Sequence, residues 1–399
     1  MRRLPGSLSV QNIKLAWSQS RDAKQSTAGA AGIDRMPSHV FSSTLAARIE
    51  DIRSDIARDS YKFSPLRIAI VPKPSGGNRI IAVPTVRDRL LQRAILRHLE
   101  KDTRFSATSD ISYGFTKSRT LQDAQKRALE LRKIYPWVLQ ADIVKFFDRI
   151  QRTDVKKLIS RKVRSKVIAG LLTAATDCEL EDTQYQLSAI ASGNGIVRGR
   201  GLRQGMPISP MLSNLLLKDF DNELGKAGIV AVRYADDIAI FASAKNDCKD
   251  QLQKIQLLLS KLSLSIPDLG PESKTKILGP SDVLQFLGIE IRKVADGYAF
   301  FPPDKKIAVI KEHMAGLCLL PDCIQQKRNI GQLVRALDSF VMGHVASMAV
   351  LEDGGAFQNK LMQEKHRHLR GLLVEILGKE AVDNMSKEKM AVLGLDIFD

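Results

Sequence analysis

The chain has 399 residues, 44% of them hydrophobic, which is typical of a globular protein with two or three domains. No apolar run approaches the roughly 18–20 residues that a membrane span needs. The N-terminal segment also lacks the apolar core of a signal peptide. We therefore expect a cytoplasmic protein rather than a membrane or secreted one, with its four sparse cysteines as reduced thiols rather than zinc ligands.

The net charge of +17 is concentrated at the start of the chain. Residues 1–150 carry 27 Lys and Arg against 14 Asp and Glu, residues 151–299 carry 21 against 17, and residues 300–399 carry 13 of each. Such a basic excess favours a polyanionic partner, most often nucleic acid. The alternative is a basic, solvated surface without a specific partner, and charge alone does not decide between the two.

The first 135 residues predict helices around one β-hairpin. Two short apolar runs flank the Pro- and Gly-rich turn signal PKPSGGN, which predicts a hairpin over 65–85. Apolar residues at helical spacing predict helices over 40–60, 86–100 and 120–135.

The rest of the chain predicts a mixed region followed by helices alone. We expect a buried strand over 137–143, a glycine-rich loop over 192–210, a helix over 211–228, a strand–turn–strand around Asp236, a helix over 247–262 and a hairpin over 283–301. From about residue 303 only helical patterns occur, interrupted by Pro321 and by Gly354 and Gly355.

Three carboxylates stand out in this pattern. Asp142 lies where the predicted strand ends in ADIVKFFD, and Asp236 and Asp237 lie side by side in RYADD between two apolar runs. Neighbouring strands of one sheet would bring all three together, where they would repel one another unless they held cations. Mg²⁺ prefers such oxygen ligands, and two ions about 4 Å apart can activate a hydroxyl and stabilise a leaving pyrophosphate. An isolated Asp-Asp pair is more often a surface turn, so this hypothesis depends on Asp142.

Motifs in order along residues 30–295 resemble those of reverse transcriptases of the bacterial group II intron type. They are AGIDRMPSHVF, VPKPSGGNRIIAVPTVRDRLLQRAI, SYGFTKSRTLQDA, ADIVKFFD, GLRQGMPISPMLSNLLL, RYADD, ESKTKIL and QFLGIEI. The resemblance implies an α+β, right-hand polymerase fold, with an antiparallel palm sheet carrying the acidic site. It also implies an N-terminal extension at 1–30, fingers mainly at 31–135, a palm mainly at 136–295 and a helical thumb at 296–399.

The resemblance assigns the catalytic and metal-binding roles residue by residue. Asp142 and Asp236 would hold two Mg²⁺ ions, for which Mn²⁺ could substitute. Asp237 would complete the acidic site, and the carbonyl of Ile143 would reach one ion.

Further positions match the family's nucleotide-binding and primer-binding motifs. Lys73 and Arg79 would close on the triphosphate, and Lys274 would protonate the leaving pyrophosphate. Gln204 and Gly205 would pack under the nucleotide, and Phe147 would stand under the ribose, where it would exclude a 2′-hydroxyl. The predicted primer grip is Phe286, Leu287 and Gly288.

The resemblance implies an RNA-directed DNA polymerase that uses dNTPs, an RNA template and a DNA primer or product. Ser209-Pro210 is the usual form in intron-type enzymes, and residues 300–399 show no His-Asn-His nuclease pattern and no zinc-binding cysteines. It is most like the stand-alone, anti-phage enzymes, for which a structured noncoding RNA would supply the template. An intron-derived or CRISPR-associated enzyme is the alternative.

Two other classes remain open. An RNA-dependent RNA polymerase shares the palm, but it generally has an acid where this chain has Phe147. A maturase-like RNA-binding protein would have kept the scaffold and lost the chemistry. The sequence does not predict the oligomeric state.

Overall fold

The computed structural model describes residues 4–24, 30–73, 77–101, 105, 109–181, 185–270 and 272–393. The chain divides into two compact units. The first unit comprises Met1–Thr120 and Leu139–Ile277, and the second comprises Leu121–Val138 and Leu278–Asp399. The boundaries of fingers, palm and thumb stay a prediction.

The strands of the described residues form three sheets. In chain order they are β1 (Arg67–Pro72), β2 (Asn78–Val83), β3 (Trp137–Asp142), β4 (Val230–Tyr234), β5 (Asp237–Ala242), β6 (Lys276–Leu278), β7 (Leu284–Phe286), β8 (Ile289–Val294) and β9 (Gly297–Phe301). The sheet orders are β1-β2, β4-β5-β3-β6 and β7-β8-β9.

The described residues also form α-helices. In chain order they are α1 (Val10–Ser18), α2 (Arg21–Lys24), α3 (Ser38–Ser43), α4 (Leu45–Ala57), α5 (Val86–Leu99), α6 (Leu121–Ile134), α7 (Phe146–Arg149), α8 (Arg152–Lys162), α9 (Lys166–Thr176), α10 (Tyr185–Gly193), α11 (Ser209–Lys226), α12 (Lys245–Ser260), α13 (Asp304–Leu317), α14 (Leu320–Gln325), α15 (Ile330–Ser347), α16 (Gly354–Leu377), α17 (Lys379–Asp383) and α18 (Lys387–Val392). A short 3₁₀ helix, Gly6–Leu8, precedes α1.

The predicted hairpin over 65–85 is confirmed in the first unit. Strands β1 and β2 pair antiparallel, with Val71 opposite Arg79. The amide of Lys73 donates to the carbonyl of Gly77 (3.0 Å), which closes the hairpin beyond the strands. Residues 74–76 at its tip lie outside the described residues.

The predicted helix over 40–60 is confirmed in its second half and interrupted in its first. Ile49, Ile52 and Ile56 of α4 are buried, as the helical spacing requires. The chain leaves helical geometry at Thr44 (φ −118°, ψ 26°), which separates α3 from α4. Val40 is therefore exposed rather than part of the same apolar face.

The four-stranded sheet forms the central core of the first unit. Strands β4 and β5 are mostly buried, and α11 packs against β4 while α12 packs against β5. Helix α11 begins at Ser209 with Pro210 in its first turn, where a missing N–H leaves no helical hydrogen bond unmade. The predicted strands and helices of this region are confirmed.

In the second unit the predicted hairpin over 283–301, with its glycine turn, is confirmed for β8 and β9, but the prediction missed a third strand, β7. The segment forms the three-stranded antiparallel sheet β7-β8-β9, because Leu287 and Gly288 make a second tight turn at φ +52° and +79°. Helix α6 packs against β9. Pro321 and Gly354 lie in the first turns of α14 and α16, so they begin helices rather than break them.

The predicted α+β class with antiparallel sheets is confirmed. Within the described ranges, no helix is both long enough and apolar enough to cross a membrane.

Candidate active site

The hairpin of β4 and β5 carries the paired aspartates. Tyr234 pairs with Asp237 across the hairpin, so Ala235 and Asp236 form a two-residue turn. Ala235 has φ +57°, a left-handed conformation that costs a non-glycine residue about 1 kcal/mol or more. The turn therefore places Asp236 between the two apolar strands β4 and β5.

The sheet brings the third carboxylate to this turn. Asp142 is the last residue of β3, which lies beside β5 in the sheet. The amide of Ile143 donates to the carbonyl of Asp236 (3.1 Å), so a backbone hydrogen bond fixes the end of β3 against the turn. Asp142, Asp236 and Asp237 are each half-buried there.

Electrostatics make this cluster unfavourable without cations. Burial, followed by the charges of Asp142 and Asp237, raises the pKa of Asp236 well above its ordinary value. Burial and the charge of Asp142 likewise raise the pKa of Asp237 to about 6. The Lys274 ammonium contacts the Asp142 carboxylate, and this hydrogen bond raises the pKa of Lys274.

The donor set fits hard divalent ions. It consists of carboxylate oxygens, which Mg²⁺ prefers, and a bound cation would offset the burial and mutual repulsion that raise the pKa values of Asp236 and Asp237. Among the described residues, no group of three or more His, Cys, Asp or Glu side chains is arranged so that it could hold a metal ion. The ammonium of Lys274 supplies positive charge to the cluster through its contact with Asp142.

A cavity of about 710 Å³ opens beside the carboxylates, within the first unit. Most of the predicted site residues line it, namely Lys73, Arg79, Asp142, Ile143, Phe147, Gln204, Asp236 and Lys274. Lys73 and Arg79 are exposed on the β1–β2 hairpin, so their charges are free to meet a ligand in the cavity. The cavity therefore places cationic groups opposite the acidic cluster.

The glycine-rich loop lies between the β1–β2 hairpin and the cavity. The carbonyl of Gln204 accepts from the amide of Ala82 in β2 (2.7 Å). Gly205 follows at φ +107°, and a Cβ there would come within 2.4 Å of the Ala82 carbonyl oxygen. Only glycine allows this close approach, which fixes Gln204 at the cavity wall.

The two phenylalanines after Asp142 lie in different environments. Both line the cavity, but Phe146 is buried in the core and only 2% exposed, whereas Phe147 is half-exposed. The carbonyl of Phe147 accepts from the amide of Leu202 (2.8 Å), so its backbone is fixed against the glycine-rich loop. Its role as a sugar gate stays a prediction.

The cavity lining also includes residues that sequence reasoning did not assign to the site, among them Phe115, Lys145, Asp148 and Asn194. Phe115, at φ +57°, places its ring 6.3 Å from the rings of both Phe147 and Tyr234. Lys145, at φ +47°, donates from its ammonium to the carbonyl of Asn194 (3.0 Å). Burial raises the pKa of Asp148, against the opposing charges of Arg203, Lys145 and Lys73. Three of the four lie inside motifs already recognised, where an unusual backbone angle leaves no mark in the sequence.

Comparison with known proteins identifies the family. Residues 71–291 match the family model described as "Reverse transcriptase (RNA-dependent DNA polymerase)". The chain belongs to this family. The prediction of a reverse transcriptase of the bacterial, intron-like type is confirmed, and with it the reverse transcriptase fold.

Curated relatives agree with this assignment. The reverse transcriptase is 28% identical to "Protein YkfC" of Escherichia coli strain K12, over 48% of this chain and 49% of that protein. It is 26% identical to "Retron Ec83 reverse transcriptase" of Escherichia coli, over 51% of this chain and 62% of that protein. It is 28% identical to "Group II intron-encoded protein LtrA" of Lactococcus lactis subsp. cremoris, over 44% of this chain and 28% of that protein. The matches span about half or less of most of these relatives.

The predicted primer grip of the reverse transcriptase lies in the second unit. Phe286 is buried at the end of β7, and Leu287 and Gly288 form the turn to β8. The amide side chain of Gln125 in α6 donates to the Leu287 carbonyl (3.0 Å), which holds the turn. The ammonium of Lys306 lies 3.5 Å from the position that a Cβ on Gly288 would occupy. The segment is thus a rigid turn with a basic neighbour.

Proposed function

We propose that this reverse transcriptase is an RNA-directed DNA polymerase that adds dNTPs to a primer by two-metal nucleotidyl transfer. The observation that carries the proposal is the meeting of Asp142 and Asp236 at the end of β3, fixed by the Ile143–Asp236 hydrogen bond, beside a cavity with cationic walls. The family match agrees with it. We propose this polymerase activity for the protein as a whole.

In this function Asp142, Asp236 and Asp237, with the carbonyl of Ile143, would hold two Mg²⁺ ions, with Mn²⁺ able to substitute. When bound, such ions lower the pKa of the attacking hydroxyl and neutralise the leaving pyrophosphate. The contribution of the chain's own residues is to position the carboxylates. The strained turn at Ala235 and the backbone bond from Ile143 hold the carboxylates before any ligand arrives.

The cavity walls would hold the nucleotide. Lys73 would meet the triphosphate as a point charge and Arg79 as a planar fork, while Gln204 and Gly205 would pack under the nucleotide. Phe147 would exclude a ribose 2′-hydroxyl by size and by offering no hydrogen-bond acceptor. Lys274, which already contacts Asp142, would give its proton to the leaving pyrophosphate.

The β1–β2 hairpin and its neighbouring helices would act as fingers, the four-stranded sheet as palm, and helices α13 to α18 as thumb. Phe286, Leu287 and Gly288 would hold the primer end. The excess of 27 basic over 14 acidic residues in 1–150 supports binding of a nucleic acid backbone.

For the biological role, we propose a dedicated, structured noncoding RNA as template, in bacterial anti-phage defence in the cytoplasm. A structured RNA would be held through its phosphates and 2′-hydroxyls. Sequencing the RNA that copurifies with the protein from its own host tests this role. One enriched transcript with matching DNA supports it, and bulk ribosomal RNA alone contradicts it.

A primer-extension assay tests the polymerase function itself. A DNA primer annealed to an RNA template is offered dNTPs in one reaction and rNTPs in another, with Mg²⁺ present in both. We expect extension with dNTPs. Extension with rNTPs alone would favour an RNA polymerase, and no extension combined with tight RNA binding would favour a maturase-like role.

A further inference from the structure

A buried charge network lies directly under the catalytic turn. Arg233, next but one before Ala235, is fully buried, as is its partner Asp221 in α11. Burying such a pair costs desolvation energy that the ion pair alone does not reliably recover. The network therefore calls for an explanation other than stability.

All five N–H donors of the Arg233 side chain are used. Nε and Nη2 donate to the two carboxylate oxygens of Asp221 (2.7 and 2.6 Å). Nη2 also donates to the hydroxyl of Ser112 (2.9 Å), and Nη1 donates to the side-chain oxygen of Asn214 (3.2 Å). The remaining Nη1 donor meets the carbonyl of Ala235 (2.9 Å). A planar guanidinium is the side chain that can hold these acceptors at once.

The Ala235 carbonyl belongs to the peptide that joins Ala235 to Asp236. Arg233 therefore fixes one peptide plane of the turn, and the amide of Ile143 fixes the next through the carbonyl of Asp236 (3.1 Å). Gly114 closes the turn from outside, because a Cβ there would lie 2.6 Å from the Ala235 nitrogen. A strained φ of +57° persists only where its surroundings fix it in this way.

We propose that Arg233 is a positioning residue that holds the Ala235–Asp236 turn in the conformation needed for metal binding. Its side chain is fully buried and does not line the cavity, so it acts through the Ala235 carbonyl. This inference rests on the proposed function. It predicts an effect on the chemical step and on the affinity for divalent ions, with little effect on nucleotide or primer binding.

The test compares Arg233→Lys with Arg89→Lys. Arg89 is the matched control, because it is also buried and also donates through Nε and Nη2 to both oxygens of one carboxylate, that of Asp22 (3.2 and 2.8 Å). This pair belongs to a network of the N-terminal helices. A lysine cannot reproduce either fork, so both variants should lose stability. Only Arg233→Lys should change the site.

Two readouts separate positioning from folding. In single-turnover extension, Arg233→Lys should lower the maximal rate by about ten- to a hundredfold with the dNTP affinity nearly unchanged, because small misplacements of reacting groups cost that much. Electron paramagnetic resonance of added Mn²⁺ should show weaker binding to this variant. Arg89→Lys should match wild type in both measurements, per folded molecule.

Other results would overturn either the inference about Arg233 or the proposed function. Wild-type rate and Mn²⁺ affinity in Arg233→Lys would overturn the inference, as would equal losses in both variants. If wild type adds no nucleotide, the proposed function fails, and Mn²⁺ binding alone decides the role of Arg233. If Arg233→Lys does not fold, Ser112→Ala removes one of the five bonds, and an unchanged rate and Mn²⁺ affinity in that variant would likewise overturn the inference.

Discussion

The amide of Ile143 donates a hydrogen bond to the carbonyl of Asp236, across 3.1 Å and 93 positions of sequence. This bond joins the end of β3 to the turn between β4 and β5, and each of those two segments carries a carboxylate. The backbone therefore fixes the positions of Asp142 and Asp236 relative to each other. Variants that disturb the backbone around the cavity should affect activity as strongly as variants of the charged side chains.

Gly205→Ala should damage the glycine-rich loop. A Cβ at this position would lie 2.4 Å from the Ala82 carbonyl, and φ is +107°. We expect a loss of about 1–3 kcal/mol in the free energy of unfolding, from strain and overpacking. We also expect weaker dNTP binding, because Gln204 would leave the cavity wall.

The matched control is Gly170→Ala, on the exposed face of α9, where nothing lies within 4 Å of an added Cβ. It should raise stability by up to about 1 kcal/mol, because alanine favours a helix over glycine. Urea unfolding and the dNTP concentration dependence of extension measure both effects. A wild-type dNTP dependence in Gly205→Ala would contradict the role of the loop.

Phe147→Ala should relax the choice of sugar. Its ring is half-exposed at the cavity, and removing it would leave space for a 2′-hydroxyl. We expect rNTP addition to rise by about tenfold relative to dNTP addition, which corresponds to about 1.4 kcal/mol of lost discrimination. Competition between the two nucleotides in one reaction gives the ratio directly.

Phe146→Ala serves as the control for that experiment. Phe146 is only 2% exposed, so its truncation should cost about 3–5 kcal/mol of stability while the sugar preference of the folded protein stays unchanged. An unaltered nucleotide ratio in Phe147→Ala would remove the gate assignment.

Asp22→Ala should destabilise the N-terminal helices. Asp22 is buried and accepts hydrogen bonds from Arg89 and Arg93, and these bonds lower its pKa well below the ordinary value despite the opposing effect of burial. Leaving two arginines without their partner should cost about 3–5 kcal/mol near neutral pH. Asp51→Ala, at an exposed position of α4, should change stability by less than about 0.5 kcal/mol.

The pH dependence of that cost has a definite sign. Because the pKa of Asp22 is lowered by folding, its contribution is complete above the unfolded value of about 4 and is lost as the pH falls below it. The stability difference between wild type and Asp22→Ala should therefore narrow below about pH 4 in urea unfolding. A difference independent of pH would contradict the ion-pair account.

Local sequence patterns sufficed for the parts of the fold that local physics determines. PKPSGGN lies between two apolar runs, so the hairpin of β1 and β2 was predictable from turn chemistry. Asp142 ends a buried strand and Asp236 lies in the turn between two others, and a polar residue at such a point is conspicuous. The acidic cluster was predictable for this reason.

Tertiary contacts decide what the sequence missed. In the sequence, Arg233 cannot be told apart from an exposed arginine in a strand. Its burial is explained only by the hydrogen bonds that it donates to Asp221, Asn214 and Ser112 in the folded chain. The left-handed backbones of Lys145 and Phe115 leave no compositional signal, because neither residue is glycine. The turn at Leu287 likewise converted one predicted hairpin into a three-stranded sheet.

The most direct test of the proposed function is single-nucleotide extension of a DNA primer on an RNA template, in Mg²⁺, by wild type, Asp236→Asn and Asp250→Asn. Asp250 is an exposed carboxylate of α12, so its variant should extend the primer at the wild-type rate. Asp236→Asn keeps the shape of the turn but removes a charge that would anchor the ions, so we predict folded protein with no detectable dNTP addition. Wild-type addition by Asp236→Asn, with the same metal dependence, would contradict the placement of the active site.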